Sequence, residues 1–241
     1  MFVTGDTHIP IHIRKLSSES FREGTTLTAD DHVIIAGDCG LVWDHKGWTK
    51  EELYWKEWLE KKPWTTLFID GNHENFNRLN AYPVNIWNGG KVHMISDKII
   101  HLIRGQVYDI EGVKVFTFGG AKSIDRGTAT GTEDRDRGII WWDQEMPNMA
   151  EMDEGRENLA KCGNKVDYII THDLPTRELV GLGLRERRMF QQNYLNSYLE
   201  DIRCSTEFKH WYAGHYHADI TLSEKQTVLF NSIIKLGEML I

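Results

Sequence analysis

Short apolar runs that end at a glycine–aspartate turn constrain the fold of this chain most. Three of them lie in its first half, and each has the length of a buried strand: residues 1–4, 32–36 and 66–69. The turn signals at their ends are Gly5-Asp6, Gly37-Asp38 and Asp70-Gly71. The pattern therefore predicts three buried strands, each with a polar turn at its end.

Residues 49–62, between the second and third runs, have the pattern of an amphipathic helix. Apolar side chains recur there at helical spacing, at positions Leu53, Trp55, Trp58 and Leu59. We expect Trp55 and Trp58 to lie in the core, and Pro63 ends the pattern. A strand, a helix and a strand in that order predict an α/β unit with a mostly parallel sheet.

After about residue 90 the apolar runs are closely spaced, which is typical of antiparallel pairs. The predicted strands are residues 92–95, 99–103, 107–110, 113–118, 166–171, 210–213, 220–222, 228–230 and 233–236. Residues 151–162 and 193–202 have helical patterns. Residues 119–147 are long for a structureless connection, so we expect a loop or lid near a functional site. The whole chain, residues 1–241, is predicted to form one α/β domain.

The composition limits the partners of the chain. Its 241 residues carry 36 acidic and 28 basic side chains, for a formal net charge of −8. A surface that acidic disfavours membranes and long nucleic acid, without excluding a short or cyclic substrate. The three cysteines lack paired spacing, and the sequence shows neither a membrane span nor a signal-peptide pattern, so we expect a cytoplasmic protein. The oligomeric state stays open.

Polar clusters rich in histidine follow five of the predicted strands. They read Gly-Asp-Thr-His, Gly-Asp, Asp-Gly-Asn-His-Glu, Thr-His-Asp and Gly-His-Tyr-His. In open α/β sheets, ligands bind beyond the carboxyl ends of strands, so these clusters can converge in space. Their candidate ligands are Asp6, His8, Asp38, Asn72, His172, His215 and His217. His215 and His217, one residue apart on a predicted strand, would point to the same face.

These candidate side chains supply carboxylate, amide and imidazole donors. The mixture suits the borderline divalent metals Mn, Fe, Zn, Ni and Co better than calcium. Seven side chains exceed the three or four that one metal usually takes from a protein, whereas two ions bridged by one carboxylate would use them all. The sequence therefore predicts a site for two divalent metal ions. The six histidines outside the five polar clusters, including His12 and His45, are interpreted as structural.

The ordered series GDTH, GD, GNHE, THD and GHYH resembles the signature of the calcineurin-like metallophosphoesterase superfamily. The series runs from Asp6 to His217 and so covers nearly the whole chain. The stretch GGAKSIDR at residues 119–126, followed by Trp141 and Trp142, is similar to a bacterial and phage branch of that superfamily. The resemblance implies a four-layer fold, with two mixed sheets face to face and helices outside.

The resemblance also implies a ligand assignment and a reaction. Three side chains would hold each metal and one would bridge them: Asp6, His8 and His217 for the first, Asn72, His172 and His215 for the second, and Asp38 between them. A metal-bridging hydroxide would attack phosphorus directly. His73, beside a ligand, is placed to protonate the leaving oxygen or to stabilise charge on a phosphoryl oxygen.

The chain departs from the superfamily at the second motif. Many members continue it as GDxxDR, whereas here Gly37-Asp38 is followed by Cys-Gly-Leu-Val. The partner of His73 and a phosphate-binding arginine are therefore unassigned, which counts against a protein phosphatase. Asp44 and Glu74 are candidates for the partner of His73.

Other arginines are candidate substrate contacts, because a guanidinium fork matches phosphate geometry. Arg126 lies in the glycine-rich stretch, and Arg177 lies shortly after the Thr-His-Asp cluster. A local basic run adds Arg185, Arg187 and Arg188.

The sequence thus predicts a hydrolase, a metal-dependent phosphoesterase that acts on a small phosphomonoester or a nucleotide. Two alternatives stay open. One is a phosphodiesterase or nuclease that uses the same chemistry. The other is a non-catalytic interaction module, which the presence of His73 and all seven candidate ligands disfavours.

Overall fold

The computed structural model describes residues 1–124, 131–186 and 190–240. Thirteen strands lie in this part of the chain: β1 (Phe2–Thr4), β2 (His32–Ile35), β3 (Thr65–Phe68), β4 (Val84–Trp87), β5 (Gly90–Ser96), β6 (Ile99–Leu102), β7 (Gln106–Ile110), β8 (Val113–Phe118), β9 (Tyr168–Thr171), β10 (His210–Ala213), β11 (Ile220–Ser223), β12 (Gln226–Val228) and β13 (Ile233–Lys235). A seven-stranded sheet has the order β13-β1-β2-β3-β6-β5-β4, and a six-stranded sheet has the order β11-β12-β10-β9-β8-β7.

Both sheets are mixed. In the first sheet β1, β2, β3 and β6 are parallel, whereas β13, β5 and β4 run antiparallel to their neighbours. In the second sheet β8, β9, β10 and β12 are parallel, and β7 and β11 form antiparallel edges. The predicted α/β class with two mixed sheets is confirmed.

Six α-helices occur among the described residues: α1 (Lys50–Glu60), α2 (Phe76–Leu79), α3 (Glu133–Asp136), α4 (Met149–Lys161), α5 (Thr176–Glu186) and α6 (Tyr194–Ser205). Short 3₁₀ helices cover Ile13–Leu16, Glu23–Thr26 and Asp143–Glu145. α1 begins where the sequence predicts because Thr49 and Glu52 form a reciprocal capping box. None of the described helices combines the length and the apolar character that crossing a membrane requires.

Alternate residues of a strand face opposite layers of the fold. In β2, Ile34 packs between the sheets in one cluster with Ile170 of β9. Val33 instead packs outward in one cluster with Leu59 of α1. On the second sheet, Trp211 packs outward with residues of α4 and α6. Helices therefore flank the outer faces of two stacked sheets.

The structure differs from the predicted elements at several places. The sequence does not predict β4, a short and exposed edge strand, or α5, which contains two glycines of low helix propensity. In α1, Trp55 is buried, but Leu53 is 49% exposed. Trp58 is half-buried and packs against the core cluster of Trp55 and Leu59, with the Lys62 ammonium 3.3 Å from its ring centroid, so it lies at the edge of the core rather than within it.

The loops that follow β1, β2, β3, β9 and β10 meet at one end of the two sheets. The amide of His8 donates to the carbonyl of Asp38 (2.8 Å), and the amide of Gly214 donates to the carbonyl of His172 (3.1 Å). The Asp6 carboxylate connects the two sheets, because its Oδ1 accepts a 2.9 Å hydrogen bond from the amide of His215, in the loop after β10. Hydrogen bonds thus join four of the five polar clusters, and the amide of His73 joins the fifth to Oδ1 of Asp38 (2.7 Å).

Candidate metal centre

Three groups of acidic and histidine side chains with the spacing of metal ligands lie among these loops. Within each group the donor atoms all lie within 4.8 Å of one another. The groups are Asp6, His8 and His217; His8, Asp38 and His73; and Asp38, His172 and His215. Because His8 and Asp38 each belong to two groups, the three groups form one continuous cluster, which we call the Asp38 cluster.

The first half of the Asp38 cluster joins the loops after β1 and β10. Nε2 of His217 lies 3.2 Å from Oδ2 of Asp6 and 2.9 Å from Nε2 of His8. Nε2 of His8 lies 3.6 Å from the same Asp6 oxygen. The Asp6 side chain is buried, whereas that of His217 is 48% exposed, so this half opens to solvent.

The second half joins the loops after β2, β3, β9 and β10. Nε2 of His172 lies 3.2 Å from Oδ2 of Asp38 and 3.3 Å from Oδ1 of Asn72. Nδ1 of His172 lies 2.8 Å from the carbonyl oxygen of Ala36, and this contact aims Nε2 at the cluster. The His215 ring lies 5.0 Å from the His172 ring, centroid to centroid.

Asp38 lies between the two halves. Its Oδ2 is 3.6 Å from Nε2 of His8 and 3.2 Å from Nε2 of His172. Its Oδ1 accepts a 2.7 Å hydrogen bond from the amide of His73. A single carboxylate oxygen therefore faces both halves, as a bridging ligand must.

Left-handed backbone conformations recur in the Asp38 cluster. The φ angle is +37° at His8, +48° at Asp38, +69° at His215 and +51° at His217. Positive φ strains an L-residue, and such strain concentrates at functional sites. The expectation that His215 and His217 point to one face of a strand is wrong, because β10 ends at Ala213 and the two rings join different halves.

Two glycines allow the loops to approach one another. A Cβ at Gly71 would lie 2.0 Å from Oδ1 of Asp38. A Cβ at Gly37 would lie 2.1 Å from Nδ1 of His172. Both distances are far below van der Waals contact, so any other residue at either position would displace a candidate ligand.

Ion pairing sets the charges of the Asp38 cluster. Burial by itself would raise the pKa of Asp6 and of Asp38, but the neighbouring His172 imidazolium holds the pKa of both carboxyls well below its usual range. Burial would lower the pKa of His172, whereas the carboxylates of Asp38 and Asp6 raise it to about 10. Both carboxylates are therefore ionised and His172 carries a proton, which a metal ion bound at Nε2 would have to displace.

The donor set fits divalent metal ions. Oδ2 of Asp6 is buried and accepts no hydrogen bond within the described chain, although imidazole nitrogens of His217 and His8 lie 3.2 and 3.6 Å away. A buried carboxylate oxygen without a hydrogen bond is costly unless a cation compensates it. Carboxylate oxygen and imidazole nitrogen together are the donors that borderline metals prefer.

His73 is half-buried and lies against aromatic rings. Its ring centroid is 5.0 Å from that of His8 and 5.9 Å from that of Trp43. The buried Trp142 packs edge-on against Trp43 at 5.3 Å, so a residue of the 119–147 segment supports the wall beside His73.

Glu74 and Asp44, the two candidate partners of His73, each accept a hydrogen bond from a backbone amide. Oε1 of Glu74 accepts a 2.8 Å bond from the amide of Cys39, and Oδ1 of Asp44 accepts a 2.7 Å bond from the amide two residues on. Burial, and then the charge of Asp38, raise the pKa of Glu74. Glu74 thus fixes the turn after Asp38. Burial also raises the pKa of the Cys39 thiol, which disfavours a nucleophilic role.

Ser123 connects the 119–147 segment to the Asp38 cluster. The side-chain amide of Asn72 donates to Oγ of Ser123 (3.2 Å), which donates to Oε2 of the buried Glu145 (2.7 Å). With its nitrogen held there, Asn72 presents its oxygen to His172. Ser123 lies in the GGAKSIDR stretch, but its pairing with Glu145 is not predicted, because a buried serine–glutamate pair has no sequence signature.

The sequence also does not predict the buried ion pair of Arg104 and Asp70, which lies behind the cluster. Nε and Nη2 of Arg104 donate to Oδ2 of Asp70 at 2.7 and 2.5 Å. Burial would raise the pKa of Asp70, but Arg104 and then His101 lower it to about 2. The carbonyl of Asp70 accepts from the amide of Gly120 (3.0 Å), so the pair fixes the chain just before Asn72.

The outcome differs among the arginines predicted as substrate contacts. Three of them lie outside the described residues: Arg126, Arg187 and Arg188. Arg177 is exposed at the start of α5, and its amide donates to a carboxylate of α6 (3.1 Å); its role as a substrate contact stays a prediction. Arg185 donates to two carbonyls of β11. A lysine that the sequence reasoning did not select, Lys122, lines a cavity together with His215.

Comparison of the chain with protein-family models finds no match, and comparison with curated proteins finds no relative. A functional assignment therefore depends on the motif series and on the geometry of the Asp38 cluster. That cluster is built from five loops, contains strained backbone and includes a buried carboxylate oxygen that accepts no hydrogen bond within the described chain.

Proposed function

We propose that the chain is a metal-dependent phosphoesterase of the calcineurin-like metallophosphoesterase superfamily, acting on a phosphomonoester or a nucleotide. The observation that carries the proposal is the position of Asp38, whose Oδ2 faces both halves of the cluster. The motif series supports it, because its five members occupy the five loops that supply the cluster.

Two divalent ions, drawn from Mn, Fe, Zn, Ni and Co, would be held by the candidate ligands: Asp6, His8 and His217 on one side, Asn72, His172 and His215 on the other, and Asp38 shared. When bound, such ions supply an activated water and polarise the phosphoryl group. The chain's own contribution is orientation, since the Ala36 carbonyl aims His172 and Ser123 holds Asn72.

His73 is the catalytic residue of the proposal, as the proton donor to the leaving oxygen. Its amide is bonded to Asp38, which fixes its main chain beside the cluster. Its ring is half-buried between His8 and Trp43 and so is partly open to a substrate. An imidazole in that position can donate a proton to a leaving oxygen.

A phosphodiesterase or nuclease is the second candidate. The exposed His217 leaves the first half of the cluster open enough for a second ester group. The net charge of −8 disfavours long nucleic acid but suits a small phosphorylated substrate that bound metal attracts. A non-catalytic module is disfavoured because the cluster keeps its candidate ligands together. The cytoplasm is the compartment that we propose.

Hydrolysis of two generic esters tests the proposal. Metal-stripped protein is supplied with each of the five metals in turn, and turnover of an aryl phosphate and a bis-aryl phosphate is measured. We expect metal-dependent turnover of the monoester. Turnover of the monoester alone removes the diesterase alternative, whereas no turnover of either ester with two metals bound contradicts the enzyme assignment.

A further inference from the structure

A cavity of about 260 Å³ opens beside the second half of the Asp38 cluster. Its lining includes one candidate metal ligand, one cation, the carboxylates of Glu133 and Asp173, and an aromatic wall. Among its lining residues are His215, Lys122, Asn193, Ile124, Phe190 and Tyr216. A ligand in this cavity would therefore lie next to a phosphate held at the cluster.

The wall of the cavity is fixed to the cluster. The hydroxyl of Tyr216 donates to Oδ1 of Asp173, which directly follows His172 and also accepts from the amide of Leu174 (2.7 Å). The Phe190 ring meets the Tyr216 ring edge-on, with centroids 5.1 Å apart. Two aromatic rings anchored in this way form a surface for an apolar or aromatic group.

Lys122 is the cation of the cavity. It is half-buried and shares the cavity with Glu133 and Asp173, but neither carboxylate forms an ion pair with it in the described part of the chain, and Oδ1 of Asp173 is held by Tyr216 and Leu174. Lys15, also near the cluster, differs because its ammonium donates to the carbonyls of Gly5 and Asp6, both at 2.9 Å. The Lys122 ammonium is therefore available to bind an anion, whereas the Lys15 ammonium is engaged by backbone carbonyls.

The chain next to Lys122 is held against the cluster. Ser123 accepts from the side chain of Asn72 and donates to Glu145, so the start of the Lys122 side chain has a fixed position. A phosphomonoester dianion carries one more negative charge than a diester. A cation additional to two metal ions favours the more highly charged ester.

We propose that Lys122 and the adjoining cavity select a phosphomonoester whose alcohol carries a compact apolar or aromatic group. Lys122 binds a phosphoryl oxygen, and the Tyr216–Phe190 wall receives the group on the alcohol. This inference rests on the proposed function and names the substrate class of the same site.

Turnover by Lys122→Gln and Lys122→Arg, loaded with metal, tests the role of the cation. We expect Lys122→Gln to lower kcat/KM for an aryl phosphate by roughly ten- to a hundredfold, as for loss of one charged hydrogen bond, with a much smaller loss for a bis-aryl phosphate. Lys122→Arg should restore most of the monoester activity. Lys209→Gln is the matched control, because Lys209, just before β10, is exposed and forms an ion pair with Asp167.

Calorimetric measurement of phenylphosphonate and methylphosphonate binding to the metal-loaded protein tests the cavity without turnover. We expect phenylphosphonate to bind roughly tenfold more tightly than methylphosphonate, because the ring is buried, and Lys122→Gln to weaken both at unchanged metal content. Equal binding of the two phosphonates, or equal losses for monoester and diester, overturns the inference while the proposed function stands. If the wild-type protein with two metals hydrolyses neither ester, the proposed function fails and this inference fails with it.

Discussion

The backbone amide of His73 donates a 2.7 Å hydrogen bond to Oδ1 of Asp38. This bond joins the loop after β3 to the loop after β2 at the centre of the Asp38 cluster. Because the donor is the main-chain amide, the bond does not depend on the imidazole and is available to any residue except proline at this position. The imidazole can therefore be tested separately from the geometry that surrounds it.

Replacement of His73 by glutamine should leave the metal site assembled and slow the reaction. We expect kcat for an aryl phosphate to fall by about 10²–10⁴, the usual contribution of a positioned proton donor, with unchanged metal content. Steady-state kinetics and elemental analysis of the same sample measure both. Full turnover in His73→Gln would remove the residue from the mechanism, and loss of metal would make it a ligand.

Gly71→Ala should disrupt the Asp38 cluster, because the added Cβ would lie 2.0 Å from Oδ1 of Asp38. We expect the variant to bind metal at least tenfold more weakly and to be destabilised by about 1–3 kcal/mol, as for overpacking. Metal titration and urea unfolding measure these effects.

Gly181→Ala is the matched control for that change. A Cβ at Gly181, in α5, would meet nothing within 4 Å, so we expect unchanged metal binding and a slight gain in stability. Equal behaviour of the two alanine variants would contradict the close approach that the structure describes.

Ser123→Ala should weaken metal binding without touching a ligand. It removes the oxygen that holds the side-chain nitrogen of Asn72, so we expect metal affinity to fall by about 10- to 100-fold. The affinity is measured by competition with a chelator. Ser205→Ala, which removes a hydroxyl bonded only to helix carbonyls at the end of α6, serves as the control. If both variants keep wild-type affinity, Ser123 does not orient Asn72.

Local chemistry made much of the fold readable from the sequence. The capping box at Thr49 and the stop at Pro63 bracket α1, and glycine–aspartate turns mark the ends of β1 and β2. These signals act over a few residues, so a single sequence contains them. Leu53 shows the limit of helical periodicity as a predictor of burial, because it fits the apolar pattern of α1 and is nevertheless exposed.

Contacts between distant segments could not be predicted in the same way. The Arg104–Asp70 pair joins residues 34 positions apart, and Ser123 meets Glu145 from 22 positions away. The positive φ angles after Ala213 decide which half of the cluster each histidine joins, and a strand pattern contains no sign of them. Lys122 lies in the GGAKSIDR stretch, but nothing in that stretch indicates that it lines a cavity beside His215.

Stability should fall as the pH falls from about 6.5 to about 4. Burial lowers the pKa of His210 from 6.5 to about 4, and its Nε2 lies 2.9 Å from Oγ1 of Thr227. The unfolded chain takes up a proton below pH 6.5, whereas the folded chain keeps this imidazole neutral, so protonation favours unfolding across that window.

His210→Gln should reduce this pH dependence, because glutamine retains polar atoms near Thr227 and has no charge. The decrease should be partial, since burial also lowers the pKa of His93 to about 4. Urea unfolding at about pH 7.5 and about pH 5 measures the difference in the free energy of unfolding. An unchanged difference in the variant would show that His210 is protonated in the folded protein.

Metal stoichiometry of the wild-type chain and of Asp38→Asn tests the central claim most directly. Each protein is stripped, saturated in turn with Mn, Fe, Zn, Ni and Co, freed of excess ion and analysed for bound metal. We predict two ions per wild-type chain for at least one of these metals, and at most one in Asp38→Asn, because Asp38 is the carboxylate that faces both halves of the cluster. No bound metal in the wild type, or the same two ions in the variant, would contradict the account.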